Sequence, residues 1–156
     1  LLSAGSSAGV VPVGLGARVT LRLDAGMPLY GNELDRSTNP FEAGLGRVVR
    51  LDKAADFVGR TALEAVASSG VERRLGGLEV TGRGIVRHGY PMYCPGEADE
   101  CGVVTSGTMS PTLGIPIAMA YVPSREAEPG TILECGVRET RIAVAVRALP
   151  FYQRPT

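Results

Sequence analysis

Arg18 closes the segment Gly14-Leu15-Gly16-Ala17-Arg18. Small residues ahead of an arginine let backbone or ligand approach closely, and a guanidinium there can hold a carboxylate or a planar pair of acceptors in two-point contact. The plainer alternative is an arginine on a helix surface, since exposed charges are the rule. Asp24, Glu33, Asp35 and Glu42 follow it. Any of them could act as a general base, although solvated carboxylates are the commoner case. Tyr30, placed after Met27-Pro28-Leu29, could present its ring for stacking, but tyrosines beside a proline turn are more often half-buried. Between Val104 and Gly114 stand five Ser and Thr residues. So many hydroxyls suggest a turn held by bonds from side chain to backbone, a structural role.

Other chemistries find little support. The single histidine, His88, lies in Arg87-His88-Gly89-Tyr90-Pro91, which reads as a turn leading into a strand, so hydrolase readings are weak. There is no Walker loop, no G-x-G-x-x-G and no H-E-x-x-H, which removes nucleotide binding and zinc peptidase chemistry. Cys94, Cys101 and Cys135 are odd in number and form no C-x-x-C pair. Free thiols in a reducing compartment are therefore expected, with no metal site; at most His88 could join Cys94 and Cys101 across a hairpin.

These residues need elements to position them. The chain has 156 residues, 44% of them hydrophobic and 21% charged, ordinary values for a chain that buries a core. Sixteen basic and sixteen acidic side chains cancel, which argues against nucleic acid and anionic membrane partners. No apolar stretch approaches the roughly 20 residues of a membrane span, and the first residues lack the charged start and apolar run expected of a signal peptide. The default compartment is the cytoplasm, or the mitochondrial matrix in a eukaryote. The opening Leu1-Leu2-Ser3-Ala4 reads as the inside of something longer.

The pattern changes character near residue 72. Before it come short helical pieces. Leu15, Val19 and Leu23 recur on one helix face, Arg18 and Arg22 stack on another, and Gly26 and Pro28 end the helix. Asn39-Pro40 reads as an N-cap with proline at the first helical position, predicting a brief helix over Phe41 to Leu45. Val48 to Leu51 reads as a short strand, and Arg60 to Ala67 as a helix stopped at Gly70. From Arg74 onward six strands are expected: Leu75 to Thr81, Pro91 to Cys94, Cys101 to Thr108, Ile117 to Val122, Thr131 to Cys135 and Arg141 to Leu149. Six short strands at this spacing suggest a closed antiparallel barrel, which removes exposed edges. The fold class is thus α+β, with helical pieces over 1–71 followed by a six-stranded barrel over 72–156.

Gly14 to Arg18, followed by Leu21-Arg22-Leu23-Asp24-Ala25-Gly26-Met27-Pro28-Leu29-Tyr30-Gly31, is similar to the stretch that introduces the last third of glycine-cleavage T-proteins. Thr38 to Gly46, Asp56 to Arg60, Arg87 to Pro91, Gly102 to Gly114, Ala120 to Pro123 and Leu149 to Tyr152 stand in family order and at family spacing. The resemblance covers nearly the whole chain. It implies the C-terminal part of a tetrahydrofolate-dependent aminomethyltransferase. Such enzymes receive an aminomethyl group on the lipoyl arm of the H-protein, release ammonia and pass the one-carbon unit to tetrahydrofolate. Residues 1–71 would then be the remnant of a folate-binding region.

By the same resemblance, Arg18 contacts the folate, Tyr152 or Arg154 approaches it from the C-terminal end, and Tyr30 joins them by position. The catalytic aspartate and the glutamate that anchors the pterin belong to segments ahead of Leu1, so no catalytic residue is expected here. Val19 replaces the acidic residue usual after the arginine, and Arg47 stands where many members have tryptophan. Two alternatives remain: the folate-binding end of a sarcosine or dimethylglycine dehydrogenase, and a non-catalytic folate-fold module that docks a partner.

Overall fold

The computed structural model describes residues 1–154. One turn of helix, α1 (Leu2–Gly5), leads through a 3-10 turn and an extended stretch into α2 (Leu15–Asp24). The expected stop at Gly26 has a specific geometry. Gly26 takes φ 64°, its N–H reaches the Leu23 carbonyl at 2.8 Å, and the Met27 N–H reaches the Arg22 carbonyl at 2.8 Å. This is the paired C-cap that a glycine in the left-handed region permits. The expected apolar face is only partly realised: Leu23 is buried completely, but Leu15 is 75% exposed. Val19 between them is half-buried, so burial along this face grows toward the last turn, where Leu23 packs on the barrel.

Asn39 caps as expected. Its Oδ1 accepts the N–H groups of Phe41 and Glu42, while the Asn39 N–H donates back to the Glu42 carboxylate, a reciprocal capping box. The helix over Phe41 to Leu45 does not form, however. Gly44 turns to φ 72° and the Leu45 N–H closes back on the Pro40 carbonyl at 2.8 Å, so the C-cap arrives after a single turn. Val48 to Leu51 is not a strand either. The carbonyls of Leu51 and Lys53 are taken at 2.8 Å by the guanidinium of Arg60, leaving them no ladder to join. Arg60 opens α3 (Arg60–Ser69), which ends at Gly70 as expected.

The six expected strands all form: β1 (Arg73–Val80), β2 (Pro91–Tyr93), β3 (Glu100–Met109), β4 (Pro116–Pro123), β5 (Ile132–Val137) and β6 (Thr140–Arg147). They close into an antiparallel barrel in the order β1-β4-β3-β2-β5-β6. Leu78 sits at the closure, in register with Ala118 of β4 on one side and Val146 of β6 on the other. Inward-facing side chains from all six strands, among them Leu78, Met92, Val104, Leu133, Val144 and Val146, fill the interior.

Two features of the barrel wall prepare a site on its outside. Every residue of β4 from Ile117 to Val122 is buried. Ala118, Ala120 and Val122 face the interior, whereas Ile117 and Met119 pack outward against Leu23 of α2. The second feature is a bulge in β3. Val104 pairs with Ala120 and Ser106 with Met119, so Thr105 is an extra residue in the ladder. The bulge gives Ser106 the outward direction of its partner Met119 and leaves the Thr105 carbonyl free for side-chain donors.

The thiols behave as burial dictates. Cys135 lines the barrel interior and its thiol is pushed up to about 11 by desolvation. Cys101 is pushed up to about 12, first by desolvation and then by its neighbour Cys94. A thiol whose ordinary value is 9.0 and whose folded value is raised stabilises the fold below pH 9; that contribution is lost as pH climbs toward the folded value. Cys135 of the native chain is therefore expected to resist iodoacetamide at pH 8 and to react at an ordinary rate once unfolded. Rapid native labelling, read by mass spectrometry, would refute its protection.

Candidate functional site

The last turn of α2 carries three residues with different tasks. Leu23 packs on the outer face of β4. Arg22 and Asp24, on either side of it, make polar anchors to β3 and to the turn after it.

The Arg22 Nη1 donates to Glu33 Oε2 at 2.8 Å and to the Met27 carbonyl at 3.3 Å, and Nη2 donates to Ser106 Oγ. The Ser106 hydroxyl in turn donates to Glu33 Oε1, and the Leu29 N–H donates to Oε2 at 2.8 Å. Asn32 Nδ2 reaches the Thr105 carbonyl at 3.0 Å, and the Tyr121 hydroxyl donates to the Glu33 carbonyl at 2.9 Å. Glu33, expected in solvent, is 1% exposed. A carboxylate is stable there because the Leu29 N–H, the Ser106 hydroxyl and the Arg22 guanidinium replace the water it has lost.

Asp24 is the second correction of the same kind. It is 3% exposed and accepts hydrogen bonds from Ser110 at 2.6 Å and Thr112 at 2.7 Å. The Ser110 Oγ also accepts the Leu113 N–H, so the expected side-chain to backbone bond exists. The hydroxyl run does more than hold its own turn, however: its members tie the turn to α2.

The C-terminal stretch returns to the same place. Leu149 and Phe151 pack over Gly77, where any Cβ would lie 2.8 Å from the Leu149 side chain and 3.0 Å from the Phe151 ring. The Tyr152 N–H then donates to the Asp24 carbonyl at 2.9 Å. One of the four expected folate contacts, Tyr152, is thus moored by its backbone to the end of α2. Six residues earlier on that helix, about 9 Å along the axis, stands Arg18. Its side chain is exposed and enters none of the ion pairs among the described residues. Tyr30 is 72% exposed in a tight loop bridged to Leu34, and Arg154 is exposed beyond the last element. No hydrogen bond among the described residues joins the side chains of these four.

A small cleft of about 160 Å³ adjoins the Glu33 cluster, lined by Asn32, Asp35, Arg73, His88, Thr105 and Tyr121 among others. Asp35 is held below the ordinary carboxylate value by hydrogen bonds from Ser37, side chain first and then backbone, and from Thr38. His88 Nδ1 lies 2.7 Å from the Thr105 carbonyl. Among the described residues no three His, Cys, Asp or Glu side chains are grouped to hold a metal. Gly5-Ser6-Ser7-Ala8-Gly9 has the spacing of a serine elbow, but it forms the end of α1 and a 3-10 turn, not a strand-to-helix corner.

What the residue pattern left hidden is the cluster of Arg22, Glu33 and Ser106. Ser106 lies 84 residues from Arg22, and only the bulge in β3 turns it toward the helix. The one available signal was the density of hydroxyls around it.

Comparison with known proteins places this architecture. The family model of the glycine cleavage T-protein C-terminal barrel domain matches residues 73–153, and that of the GCVT N-terminal domain matches residues 1–53. An aminomethyltransferase of Saccharopolyspora erythraea is 56% identical over 99% of this chain and 42% of its own length. One from Nostoc is 53% identical over 94% of this chain and 38% of its own length. The crystal structure of glycine cleavage system aminomethyltransferase T from Bartonella henselae superposes with a TM-score of 0.84 at 37% identity, over 90% of this chain and 39% of that one. The chain thus spans roughly two fifths of the relatives it matches.

Proposed function

The chain belongs to the glycine cleavage T-protein family, and on that premise we propose that it forms the C-terminal part of a tetrahydrofolate-dependent aminomethyltransferase. The whole enzyme would take the one-carbon unit from the aminomethyl-lipoyl arm of an H-protein, release ammonia and load tetrahydrofolate, in the cytoplasm or the mitochondrial matrix. Residues 1–71 would complete a folate-binding region, and residues 72–156 would be the barrel that closes against it.

The observation that carries this reading is the contrast between two arginines one turn apart. Arg22 is buried and engaged by Glu33 and Ser106, whereas Arg18 on the same helix is exposed and pairs with no carboxylate among the described residues. A guanidinium left open on a braced helix suits two-point contact with a carboxylate or with a planar pair of acceptors, and folate offers both. Tyr152, moored at the other end of that helix, and Arg154 two residues on would approach the same ligand. Tyr30 would add a ring for stacking. Tetrahydrofolate supplies the nitrogen that receives the one-carbon unit. The part of this chain would be to bind and orient it, a matter of positioning and charge.

The test is a chimera in which the preceding portion of the Saccharopolyspora erythraea aminomethyltransferase is joined ahead of Leu1. Arg18→Ala should cost about 1.5 to 3 kcal/mol of folate stabilisation, the value of a hydrogen bond to a charged group. That is about a 10- to 150-fold rise in KM for tetrahydrofolate. An unchanged KM would overturn the assignment. The chain of 156 residues alone should bind tetrahydrofolate more weakly than micromolar in titration calorimetry, because so few contacts cannot offset the ordering cost of binding.

A further inference from the structure

Helix α2 is docked on the barrel in an unusual way. Of its leucines only Leu23 is buried, while Leu15 and Leu21 are 75% and 64% exposed. One apolar side chain on a strand face leaves a helix free to roll and slide, because dispersion and burial are not directional. The polar anchors are directional. Arg22 is fixed by Glu33 Oε2, Ser106 Oγ and the Met27 carbonyl, and Asp24 by the Ser110 and Thr112 hydroxyls. Side chains two positions apart leave a helix in widely different directions, so the two anchors together set both its rotation and its axial register.

The Arg22 cluster is poorly arranged for stability alone. Its Nε is buried without a hydrogen-bond partner among the described residues, a cost that a purely apolar contact would avoid. The side chain is 10% exposed and its carboxylate partner fully buried. What such a cluster supplies is a single orientation.

From this we propose that Arg22 is a positioning residue: held by Glu33 and Ser106, it fixes the attitude of α2 on β3 and β4, and through it the direction in which Arg18 presents its guanidinium. The inference rests on the folate-binding reading of Arg18 given above. Arg18 and Arg22 are one turn apart on one helix, so any roll that releases Arg22 swings Arg18 through the same angle.

The decisive experiment is a double-mutant cycle in the same chimera, read as KM for tetrahydrofolate and kcat. Arg22→Lys keeps the charge but loses the fork that spans Glu33 and Ser106. It should raise KM about tenfold, part of the loss expected for Arg18→Ala, with kcat changed less than about twofold. In an Arg18→Ala background the same substitution should change KM by less than about twofold, because the residue it orients is gone. Ser106→Ala, which removes a hydroxyl and no charge, should follow the same pattern at smaller size and guards against misfolding of the lysine variant. Amide exchange on the chain itself should show faster exchange over Leu15–Asp24 in both variants and unchanged exchange in β5 and β6. Equal, independent effects of Arg22→Lys with and without Arg18 would overturn the positioning role while leaving the folate reading intact. No KM effect from Arg18→Ala would overturn both, and unaltered exchange over α2 in both variants would overturn the positioning role by itself.

Discussion

A Glu33→Ala chain is expected to lose about 3–5 kcal/mol of unfolding free energy, the penalty for stripping one partner from a buried ion pair. The size follows from what stays behind. The Arg22 guanidinium remains nine-tenths buried with its carboxylate gone, and the Leu29 N–H and Ser106 hydroxyl lose their acceptor. A combined Arg22→Met and Glu33→Leu replacement should recover most of the loss, because an apolar pair of similar volume carries no stranded charge. Urea titration of the three chains checks both statements. A Glu33→Ala midpoint within error of the parent would mean that water already reaches the cluster.

Leu78→Ala should cost about 2–5 kcal/mol, toward the upper end of that range. Leu78 is fully buried and sits between Ala118 and Val146, at the seam where β4 and β6 meet β1. Hydrogen-bonded ladders on both sides prevent the wall from moving inward, so the void stays open, and the penalty of a core truncation grows with the void that remains. On the same face of β1 the preceding position, Gly76, has no side chain to lend, which leaves Val80 as the one neighbour along the strand. A loss below 1 kcal/mol would show that the barrel relaxes around the gap.

The barrel was legible because its information is local. Each strand is short, alternates or runs apolar, and ends at turn residues, as in Ile142 to Val146 and the Pro-Gly pair at 129–130. Closure followed from the number of strands and the need to hide edges. The two local errors have local causes. Phe41 to Leu45 begins as a helix should, but Gly44 ends it after one turn, and the strand expected near Val48 starts in a 3-10 turn and gives its last carbonyl, that of Leu51, to Arg60. The site was far less legible. Asp24 and Glu33 look like surface carboxylates because most carboxylates are, and their hydroxyl partners on and after β3 lie more than seventy residues away. Even so, the family motifs led to α2, and the helix carrying Arg18 is the element that the polar anchors brace.

The bulge at Thr105 makes the facing of β3 depend on a residue count. Thr105 is the residue the ladder leaves uncounted: deleting it would join Val104 to Ser106, let the pairing with β4 run unbroken, and keep Ser106 opposite Met119 on the outer face. The facing would reverse only if the extra residue were kept and drawn into regular pairing, which would turn Ser106 toward the apolar lumen and away from Arg22. What a deletion would take away is the carbonyl that accepts from Asn32 and His88. A lost codon here would thus spare the hydroxyl that Glu33 needs and strip the neighbouring loop of its anchor.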